Sequence, residues 1–403
     1  MTTRPYDLIL YGATGFTGRL VAQVLSRRAP PGLRWALAGR DVAKLQGIRA
    51  ELGLPELPTL TADAAKPESL HALAASTRAL ISTVGPYALY GEPCLAACAE
   101  EGTHYVDLTG ETPWIRDMID RYDAVAKRTG AVIVPCCGYD SVPSELVTLL
   151  LVEHHRARGQ GTATVRAFHG GKGGFSGGTL ASMLNMAESG KTKQLMDPVL
   201  LNAPGDPVVA DPDLQGAVYD ADLGGWAAPF IMAAINTRVV RRSAALAAAA
   251  GRPYGPMFSY QEAMWLGQNT SRLAAGAVGV GLLGALILTG TGPGRALARR
   301  FGPAPGEGPS EEVRETGWTK SVAFGVATDG VKAKATLKGE GDPGYKFTSL
   351  LLAEAGLTLA DPDRAPTPGG LSTPAIALGM PYVERLRGAG VTLTVEAISP
   401  AST

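Results

Sequence analysis

Three glycines spaced three residues apart, Gly12, Gly15 and Gly18, lie near the start of the chain in YDLILYGATGFTGRLVAQVLSRR. Gly12 permits a tight turn after an apolar strand, and Gly15 lets the backbone approach a pyrophosphate. Gly18 lets the following helix pack close to that strand. This helix would begin with free N–H groups and the positive end of its dipole facing the phosphates. The spacing G-x-x-G-x-x-G between a strand and a helix therefore predicts a dinucleotide-binding loop.

The end of the second predicted strand indicates which dinucleotide binds. LRWALAGR ends in Arg40, at the position where an enzyme specific for NAD carries Asp or Glu to bind the ribose 2′-hydroxyl. Thr14, Arg40 and Lys44 offer hydroxyl and cationic donors, which suit a 2′-phosphate. We therefore predict NADP(H) as the cofactor, with a solvated arginine after the strand as the alternative. Asp63 lies just past the third strand, in a natural position to contact the adenine.

Polar residues also follow the later strands. RALISTVGPYALYG is an apolar strand that ends at Val84 and Gly85, which we predict as cofactor contacts, and Tyr87 follows where the nicotinamide should lie. GTHYVDLTGE and AVIVPCCGYDSVPSEL are two more strand-and-loop units. The carboxyl ends of parallel strands meet at one edge of a sheet. We therefore expect this edge to gather, besides Tyr87, the residues Asp107, Glu111, Tyr139, Asp140 and Ser141.

The elements that must position these residues alternate between strand and helix over about the first 150 residues. This alternation predicts an α/β protein with a Rossmann-type doubly wound parallel sheet. After about Leu151 the alternation weakens to a strand, a hairpin turning at Asp329-Gly330 and several helices, which indicates a second, α+β domain. We divide the chain into an NADP-binding domain at 1–150, a substrate domain at 151–370, and a C-terminal helix and tail at 371–403. A return of that last part to the first domain is an option.

Four local predictions concern the second half. A helix should follow the glycine-rich turn GGKGGFSGGT, capped by Ser176 or Thr179. NTRVVRRSAALAAAAGRPYG, with Arg238, Arg241 and Arg242, is predicted as a solvated helix face, and 292–316 as a surface loop rich in Gly, Pro and charge. His169 and Lys172 could bind a substrate carboxylate or a carrier phosphate, with a surface-loop role as the alternative. His71, His154 and His155 are predicted on helix surfaces.

The composition excludes several classes of protein. Lys plus Arg equals Asp plus Glu, 37 against 37, and no basic stripe is interleaved with aromatic residues, so nucleic-acid binding is disfavoured. The four cysteines lack the paired spacing of a zinc site or a disulfide, and we predict no metal. MTTRPYDLILYGATG runs directly into a strand and lacks the pattern of a secretory signal, so we expect a cytoplasmic protein.

Residues 273–289, LAAGAVGVGLLGALILT, carry no charge and are flanked by Arg272 and Arg295. As a helix they would span about 26 Å, just short of the ~30 Å hydrocarbon core of a bilayer. We favour peripheral membrane contact or a lipid-facing helix pair, since small residues allow close helix approach and arginines suit anionic headgroups. The alternatives are a buried core or dimer-interface helix, and a single span. A span would separate the substrate domain's last elements from the cofactor domain, which argues against it.

Motifs across nearly the whole chain resemble the saccharopine dehydrogenase-like oxidoreductases, specifically the trans-acting enoyl reductase branch. The resemblance is carried by YGATGFTG, the strand ending AGR, STVGPY, THYVDLTGE, CGYDSVPSEL, GGFSGGT and GGLSTPAIALG. It implies a Rossmann domain, a mixed second domain and NADP(H) chemistry. The cofactor contacts that it implies are Gly12, Thr14, Gly15, Phe16, Thr17, Gly18 and Arg40. It implies less about catalysis, since chemistry varies widely within this fold.

The enoyl reductase that this resemblance implies requires hydride from NADPH at the β carbon of an unsaturated thioester. A donor must hold the thioester oxygen, and a proton must reach the α carbon. Tyr87 is the first candidate donor, with packing under the nicotinamide as its alternative. Tyr139 and Ser141 are further candidates, and Asp140 is a candidate acid or orienting group. Loop capping is the alternative for Asp107 and Asp140.

The predicted function is therefore an NADPH-dependent oxidoreductase that reduces an acyl or polyketide thioester in lipid biosynthesis. A carrier protein that presents the thioester and a homodimer are optional partners. Two other classes stay open. One is a saccharopine-type amino-acid or imine dehydrogenase, although its substrate with several carboxylates would want clustered arginines. The other is a non-catalytic NADP-binding protein of a lipid surface.

Overall fold

The first part of the chain alternates strands and helices as predicted. The computed structural model describes residues 4–174, 177–188, 190–301 and 307–399. The elements up to the end of the seventh helix are β1 (Tyr6–Tyr11), α1 (Phe16–Arg28), β2 (Trp35–Gly39), α2 (Val42–Glu51), β3 (Thr59–Thr61), α3 (Pro67–Ala75), β4 (Thr77–Ser82), α4 (Tyr87–Tyr90), α5 (Glu92–Glu101), β5 (His104–Asp107), α6 (Thr112–Thr129), β6 (Val132–Val134) and α7 (Val142–Arg156).

The remaining elements include more strands in antiparallel pairs. They are β7 (Thr162–Lys172), α8 (Gly177–Glu188), α9 (Thr192–Leu195), β8 (Val218–Asp220), β9 (Gly225–Ala227), α10 (Ala233–Ala249), β10 (Ser259–Met264), α11 (Arg272–Gly290), α12 (Gly292–Phe301), α13 (Glu311–Thr316), β11 (Trp318–Ala327), β12 (Lys332–Glu340), a π-helical turn (Pro343–Phe347), α14 (Thr348–Ala360), β13 (Gly370–Leu371), α15 (Pro374–Ala377), α16 (Gly379–Gly388) and β14 (Thr392–Ala397). Ser176 and the side chain of Thr179, the predicted caps of α8, lie outside the described residues.

The first sheet has seven strands in the order β13-β6-β5-β4-β1-β2-β3. All its pairs are parallel. Its central strands are apolar along their length, because helices cover both faces of a parallel sheet. β2, for example, is buried at every position. The predicted Rossmann-type sheet is confirmed, with β1 at its centre and the glycine-rich loop after β1.

The second sheet has five strands in the order β10-β7-β11-β12-β14. β7 pairs with β10 in parallel, and β11 pairs with β7 and β12 antiparallel. The hairpin of β11 and β12 is confirmed, and its turn contains Gly330 with φ of 85°. That conformation requires a residue without a Cβ. A two-stranded ribbon of β8 and β9 lies beside this sheet.

The chain passes between the two sheets more than once. α7 packs against β7, β11 and β12 of the second sheet, whereas α14 packs against α1, β4 and β5 of the first. Near the end, Gly370 and Leu371 pair with Val132 and Ile133 at the edge of the first sheet. β14 then pairs with β12 in the second sheet. The division at 1–150, 151–370 and 371–403 stays a prediction, and both sheets contain strands from its last two parts.

Two predictions for the second half are wrong. Arg238, Arg241 and Arg242 are buried in α10 rather than solvated, because backbone carbonyl oxygens of neighbouring segments accept hydrogen bonds from their guanidinium groups. The predicted loop 292–316 contains α12 and α13. Pro293 does not break α12 because it lies in the first turn of the helix, where a backbone N–H has no partner within the helix and the N–H that proline lacks is not needed.

His155, predicted on a helix surface, is buried, and so is His169, for which a surface-loop role was the alternative to ligand binding. His155 faces the second sheet and its Nδ1 lies 3.0 Å from the Thr162 hydroxyl. His169 is buried in β7, between a glutamate and two serines. His71 lies at the surface as predicted, next to Glu101. Strand β7 extends through Lys172, so the surface-loop alternative for His169 is wrong.

The charge-free helix α11 lies on the outside of the protein. It is the one helix within the described residues that is long and apolar enough to cross a membrane, with a mean hydropathy of 2.0. Only 6% of its apolar stretch is buried inside the protein. Leu273, Val280 and Ile287 are 85%, 73% and 63% exposed. The interpretation as a core helix is therefore wrong, and the interpretations as a lipid-facing or interface helix stay predictions.

Candidate active site

The glycine-rich loop has the shape that a pyrophosphate requires. Gly12 has φ of 90°, and a Cβ there would lie 2.6 Å from Thr83 Oγ1. A Cβ at Gly18 would collide with the Gly12 carbonyl oxygen, so α1 can approach β1 only without a side chain at that position. Gly15 caps α1, and no side chain accepts a hydrogen bond from its first N–H groups. Those unpaired donors fit an anionic ligand, with Phe16 and Thr17 in the same first turn.

The end of β2 provides the positive charge that a 2′-phosphate needs. Thr14 lies beside Gly39, where an added Cβ would be 3.8 Å from Thr14 Oγ1. Arg40 is exposed, and it makes no ion pair or hydrogen bond with any residue in the described part of the chain. Lys44 Nζ lies 3.8 Å from Asp41 Oδ2 on the exposed first turn of α2. These three side chains share one edge of the loop, as a site for NADP(H) requires.

The adenine and nicotinamide ends of the predicted site lie after β3 and β4. Asp63 accepts a hydrogen bond from the Ala65 N–H, so its carboxylate also shapes its own turn. Thr83 Oγ1 donates to the Gly12 carbonyl oxygen at 3.1 Å, which ties the end of β4 to the glycine-rich loop. Val84, which is half-buried, and Gly85, which is exposed, follow immediately. Their roles as cofactor contacts stay predictions that this position favours.

Tyr87 is 4% exposed and its hydroxyl donates to the Ser82 carbonyl oxygen at 3.0 Å. Its ring packs against Trp114, with ring centroids 5.7 Å apart. Burial raises the pKa of Tyr87 well above its ordinary value. The hydroxyl proton is therefore committed to the backbone. Of the two predicted roles for Tyr87, the geometry favours packing beside the nicotinamide over donation to a thioester.

Two buried carboxylates shape the loops at the carboxyl edge. Asp107 accepts hydrogen bonds from the Tyr105 hydroxyl and from the N–H groups of Thr109 and Cys136. Burial raises the pKa of Asp107 to about 7. Its position matches the loop-capping alternative. The second carboxylate, Glu111, accepts the N–H groups of residues 87 and 88, each at 2.9 Å.

Asp140 differs from these carboxylates because it has no hydrogen-bond partner among the described residues. It is half-buried at the end of the loop between β6 and α7, beside the Gly110 backbone. A Cβ added to Gly110 would lie 3.1 Å from Asp140 Oδ2 and 2.9 Å from Ile235 Cδ1. Burial alone raises the pKa of Asp140 to about 6. An unpaired carboxyl group that retains protons near neutral pH is suited to act as an acid.

Tyr139 and Ser141 flank Asp140 and face different surroundings. Tyr139 is half-buried, and burial raises the pKa of its hydroxyl to about 12, so it stays a neutral donor. Ser141 is fully buried, and its hydroxyl donates to Asn236 Oδ1 at 3.2 Å. The hydroxyl proton of Ser141 is therefore already engaged in a hydrogen bond. Tyr139 is the predicted donor whose hydroxyl no backbone carbonyl holds among the described residues.

A buried polar network behind Ser141 escaped the sequence analysis. Asn236 Nδ2 donates to Glu262 Oε1 at 2.9 Å, and the other oxygen of Glu262 accepts from the Ser144 and Tyr260 hydroxyls at 2.8 Å. His169 Nε2 lies 3.3 Å from that same oxygen. Burial acts to raise the pKa of Glu262, but His169 and these donors outweigh it and lower the pKa. The one available sequence signal was an acidic residue inside the strand SYQEAM.

Comparison with known proteins places these features in a class and then in a family. A family model described as the saccharopine dehydrogenase NADP binding domain matches residues 8–134. Saccharopine dehydrogenase (L-Glu forming) from Saccharomyces cerevisiae superposes with a TM-score of 0.54 over 97% of this chain and 99% of that chain. At 13% identity, this likeness shows the fold alone. Fold and site together define an NADP-dependent oxidoreductase, and the predicted cofactor is confirmed.

Full-length relatives identify the family. A Mycobacterium tuberculosis protein assigned to the trans-acting enoyl reductases is 43% identical, over 97% of this chain and 98% of the relative. The trans-acting enoyl reductase of Mycobacterium bovis is 38% identical over 98% and 99%, and that of Mycobacterium ulcerans is 37% identical over 97% and 98%. The chain belongs to the trans-acting enoyl reductase family, which confirms the predicted resemblance.

Among the described residues, no group of three or more His, Cys, Asp or Glu side chains is arranged to hold a metal ion. The four cysteines are buried and free. Burial raises the pKa of Cys136 and Cys137 well above the ordinary value of a thiol, so neither is an activated nucleophile. Among the predicted catalytic residues that the structure describes, Asp140 and Tyr139 are the ionisable side chains that no backbone group holds.

Proposed function

We propose that this protein reduces the double bond of an α,β-unsaturated acyl or polyketide thioester made by a separate enzyme. The proposal is supported by the names of its full-length relatives and is carried by one observation, the unpaired carboxyl group of Asp140 at the carboxyl edge of the NADP-binding sheet. NADPH supplies the hydride when it is bound. The protein must supply the proton for the α carbon and a donor for the thioester oxygen.

In this proposal Asp140 gives the proton and Tyr139 holds the oxygen. The pKa of Asp140, about 6, leaves a protonated fraction at neutral pH while allowing the group to be reprotonated after each turnover. The pKa of Tyr139, about 12, keeps that hydroxyl protonated as negative charge develops on the thioester oxygen. Ile235 borders the carboxyl group, and this apolar wall excludes water beside the reacting carbon.

The position of the arginines favours an acyl substrate over a saccharopine-like one. A substrate with several carboxylates needs cationic side chains that face the cleft. Arg238, Arg241 and Arg242, the one arginine cluster in α10, are instead buried and bonded to backbone carbonyl oxygens. Arg238 also pairs with the Asp213 carboxylate, and all three guanidinium groups lie in the interior of the protein. The structural likeness to saccharopine dehydrogenase is therefore no reason to assign the substrate of that enzyme to this chain.

Asp140→Asn tests the chemistry. Because the amide cannot give a proton, we expect the rate of NADPH oxidation with enoyl thioesters to fall by about 10²–10³-fold. In the unchanged protein, the rate should decline as pH rises through about 6, since the acid form is lost. Absorbance of NADPH and the mass of the product measure the reaction across a panel of thioesters.

Asp120→Asn, on the exposed face of α6, is the matched control and should leave the rate unchanged. NADPH affinity, measured by fluorescence, should be equal in all three proteins. Full activity in Asp140→Asn would refute Asp140 as the acid. Cofactor binding with no NADPH oxidation against any thioester in the panel would refute enoyl reduction itself.

The same proposal includes the place where the protein works. We infer that α11 rests on the cytoplasmic face of a membrane, where acyl chains gather, since most of its surface is apolar and exposed. A homodimer that pairs two copies of α11 is the competing use of that surface. Vesicle sedimentation and light scattering, each combined with substitutions in α11, separate these two partners.

A further inference from the structure

Helix α8 connects the exposed apolar surface to the candidate active site. Near its middle, Ser182 Oγ donates to Glu111 Oε1 at 3.0 Å. At its last residue, Glu188 Oε1 accepts hydrogen bonds from Arg295 Nε at 3.1 Å and Arg299 Nη2 at 2.6 Å. Both arginines belong to α12, which packs against α11. One helix of about three turns therefore touches both regions.

The contact between α8 and Glu111 lies at the edge of the sheet where the nicotinamide is expected. Glu111 Oε1 accepts the Tyr87 N–H, and Oε2 accepts the Ala88 N–H. Ser182 adds a third hydrogen bond to a carboxylate that is 2% exposed. The position of α8 thus affects the carboxylate that holds the start of α4, directly after Val84 and Gly85. A displacement of α8 would remove one of the three hydrogen bonds to that carboxylate.

The contact at the other end lies within a basic, apolar surface. We name α11 and α12 together the docking hairpin, residues 272–301. This segment contains four arginines and no acidic residue. Its exposed apolar side chains include Leu283 and Ile287 on α11 and Leu297 and Phe301 on α12. Apolar side chains flanked only by cations match the chemistry of an anionic bilayer surface.

Glu188 is the one carboxylate that pairs with the docking hairpin among the described residues. It is exposed, and an exposed ion pair is weak and easily exchanged. A phosphate or phosphatidylglycerol headgroup offers the same anionic oxygens to Arg295 and Arg299. Lipid headgroups and Glu188 therefore compete for the same two guanidinium groups.

We propose that an anionic membrane surface activates this protein by displacing Glu188 from Arg295 and Arg299. The docking hairpin, whose helix α11 also packs against α8, then holds α8 less firmly, and the contact between Ser182 of α8 and Glu111 loosens. The cleft then opens at the edge where an acyl chain enters from the membrane. Binding to the membrane is independent of the reaction, whereas the activation of turnover rests on the proposed function.

Two vesicle preparations test the proposal with the full chain, one of phosphatidylcholine alone and one that also contains phosphatidylglycerol. We expect co-sedimentation with the anionic vesicles to exceed that with neutral ones by tenfold or more, since each basic residue near an anionic surface strengthens binding. NADPH oxidation with an enoyl thioester should rise about threefold or more with the anionic vesicles. Deuterium uptake of α8 should rise at the same time.

Glu188→Gln separates the coupling from the binding. It removes the competitor, so we expect turnover without vesicles to approach the vesicle-activated rate and α8 to take up deuterium faster. Glu384→Gln, an exposed acid paired with Arg387 on α16, is the matched control and should change neither. Leu283→Gln combined with Ile287→Gln should abolish sedimentation with vesicles.

Each of the other outcomes contradicts one specific part of the two proposals. Sedimentation with anionic vesicles without faster exchange in α8, in either the unchanged protein or Glu188→Gln, refutes the coupling. No sedimentation, together with a dimer in light scattering that Leu283→Gln and Ile287→Gln dissociate, refutes the lipid partner and assigns the surface to a second copy. If no thioester is reduced, sedimentation and deuterium exchange still decide the inference, and only the proposed function fails.

Discussion

From their compositions, α10 would be expected at the surface and α11 in the interior, but the structure shows the reverse. α10 has 17 residues with three arginines and lies inside the protein, with Arg238 and Arg241 no more than 1% exposed. α11 has 19 residues, is free of charge after Arg272 and lies outside. The comparison shows that the supply of hydrogen-bond acceptors, rather than mean polarity, decided which helix is buried.

Most acceptors around α10 are backbone carbonyl oxygens from segments far away in the sequence, and the Asp213 carboxylate accepts from Arg238. Arg241 donates to the carbonyls of Pro198, Asp211 and Tyr260 at 2.8–2.9 Å. Arg242 donates to those of Leu201 and Leu371. Each guanidinium thus replaces the water that these carbonyls would otherwise need. The arginines of α10 hold irregular backbone against the core. In α12, Arg299 pairs with the exposed Glu188, and Arg295 pairs with Glu188 and with the carbonyl oxygens of Thr289 and Gly290 at the nearby end of α11.

The largest effect should come from Arg241→Met. The change leaves three buried carbonyl oxygens without a donor, at about 1–3 kcal/mol each before relaxation. We expect the free energy of unfolding to fall by about 3–5 kcal/mol in urea titrations followed by circular dichroism. Arg300→Met, on the exposed docking hairpin, is the matched control and should change it by less than about 0.5 kcal/mol. Equal losses in the two variants would contradict the contrast between the helices.

A second test uses the carboxyl group that α10 covers. Glu145 is buried and accepts hydrogen bonds from Ser243 of α10 and from the Ala375 N–H, and burial raises its pKa to about 7. The folded state therefore binds this proton more tightly than the unfolded state does. The stabilisation is complete below pH ~4.5 and is lost as pH rises through about 7.

Glu145→Gln should remove this pH dependence. We expect the free energy of unfolding of the unchanged protein, relative to that of the variant, to fall by about 3 kcal/mol between pH 4.5 and 8. Urea titrations at several pH values measure it. No comparable change is expected for Glu384→Gln, since Glu384 is exposed. A relative stability that stays constant with pH would show that Glu145 is ionised beneath α10.

The smallest effect should come from the surface of α11. Val280→Gln together with Leu283→Gln should leave the free energy of unfolding within about 0.5 kcal/mol, because both side chains already face solvent in the monomer. The corresponding change in α10, Val240→Gln, buries an unpaired amide and should cost about 2 kcal/mol or more. A large loss from the α11 pair at low protein concentration would mean that this surface is covered within the monomer.

The first half of the fold was predictable because its signals are local. These signals depend only on neighbours in sequence, and they appear where predicted. They are the glycine spacing at Gly12, Gly15 and Gly18, the apolar strands and the position of Arg40. The hairpin at Gly330 is local in the same sense. The burial of α10 was not predictable, since its carbonyl partners come from residues 195–211, from Tyr260 and from Leu371.

The candidate site divides in the same way. The sequence placed Tyr87, Asp107, Glu111, Tyr139, Asp140 and Ser141 at one sheet edge. It did not show that Tyr87 and Ser141 have committed hydroxyl protons, or that Asp140 has no partner. Those distinctions depend on the Ser82 carbonyl and on Asn236, which packing brings to them. The link through α8 likewise joins residues 111, 182, 188 and 295, which no local pattern connects.

The short strand Gly370–Leu371 has a consequence for biosynthesis. While the protein is being synthesised, the nucleotide-binding sheet ends at β6, and the backbone of Val132 and Ile133 stays unpaired until nearly the whole chain has emerged. An open, apolar strand edge is a site for pairing with other chains. A ribosome that stalls before residue 370 would therefore release a protein prone to aggregate, even though its glycine-rich loop is already complete.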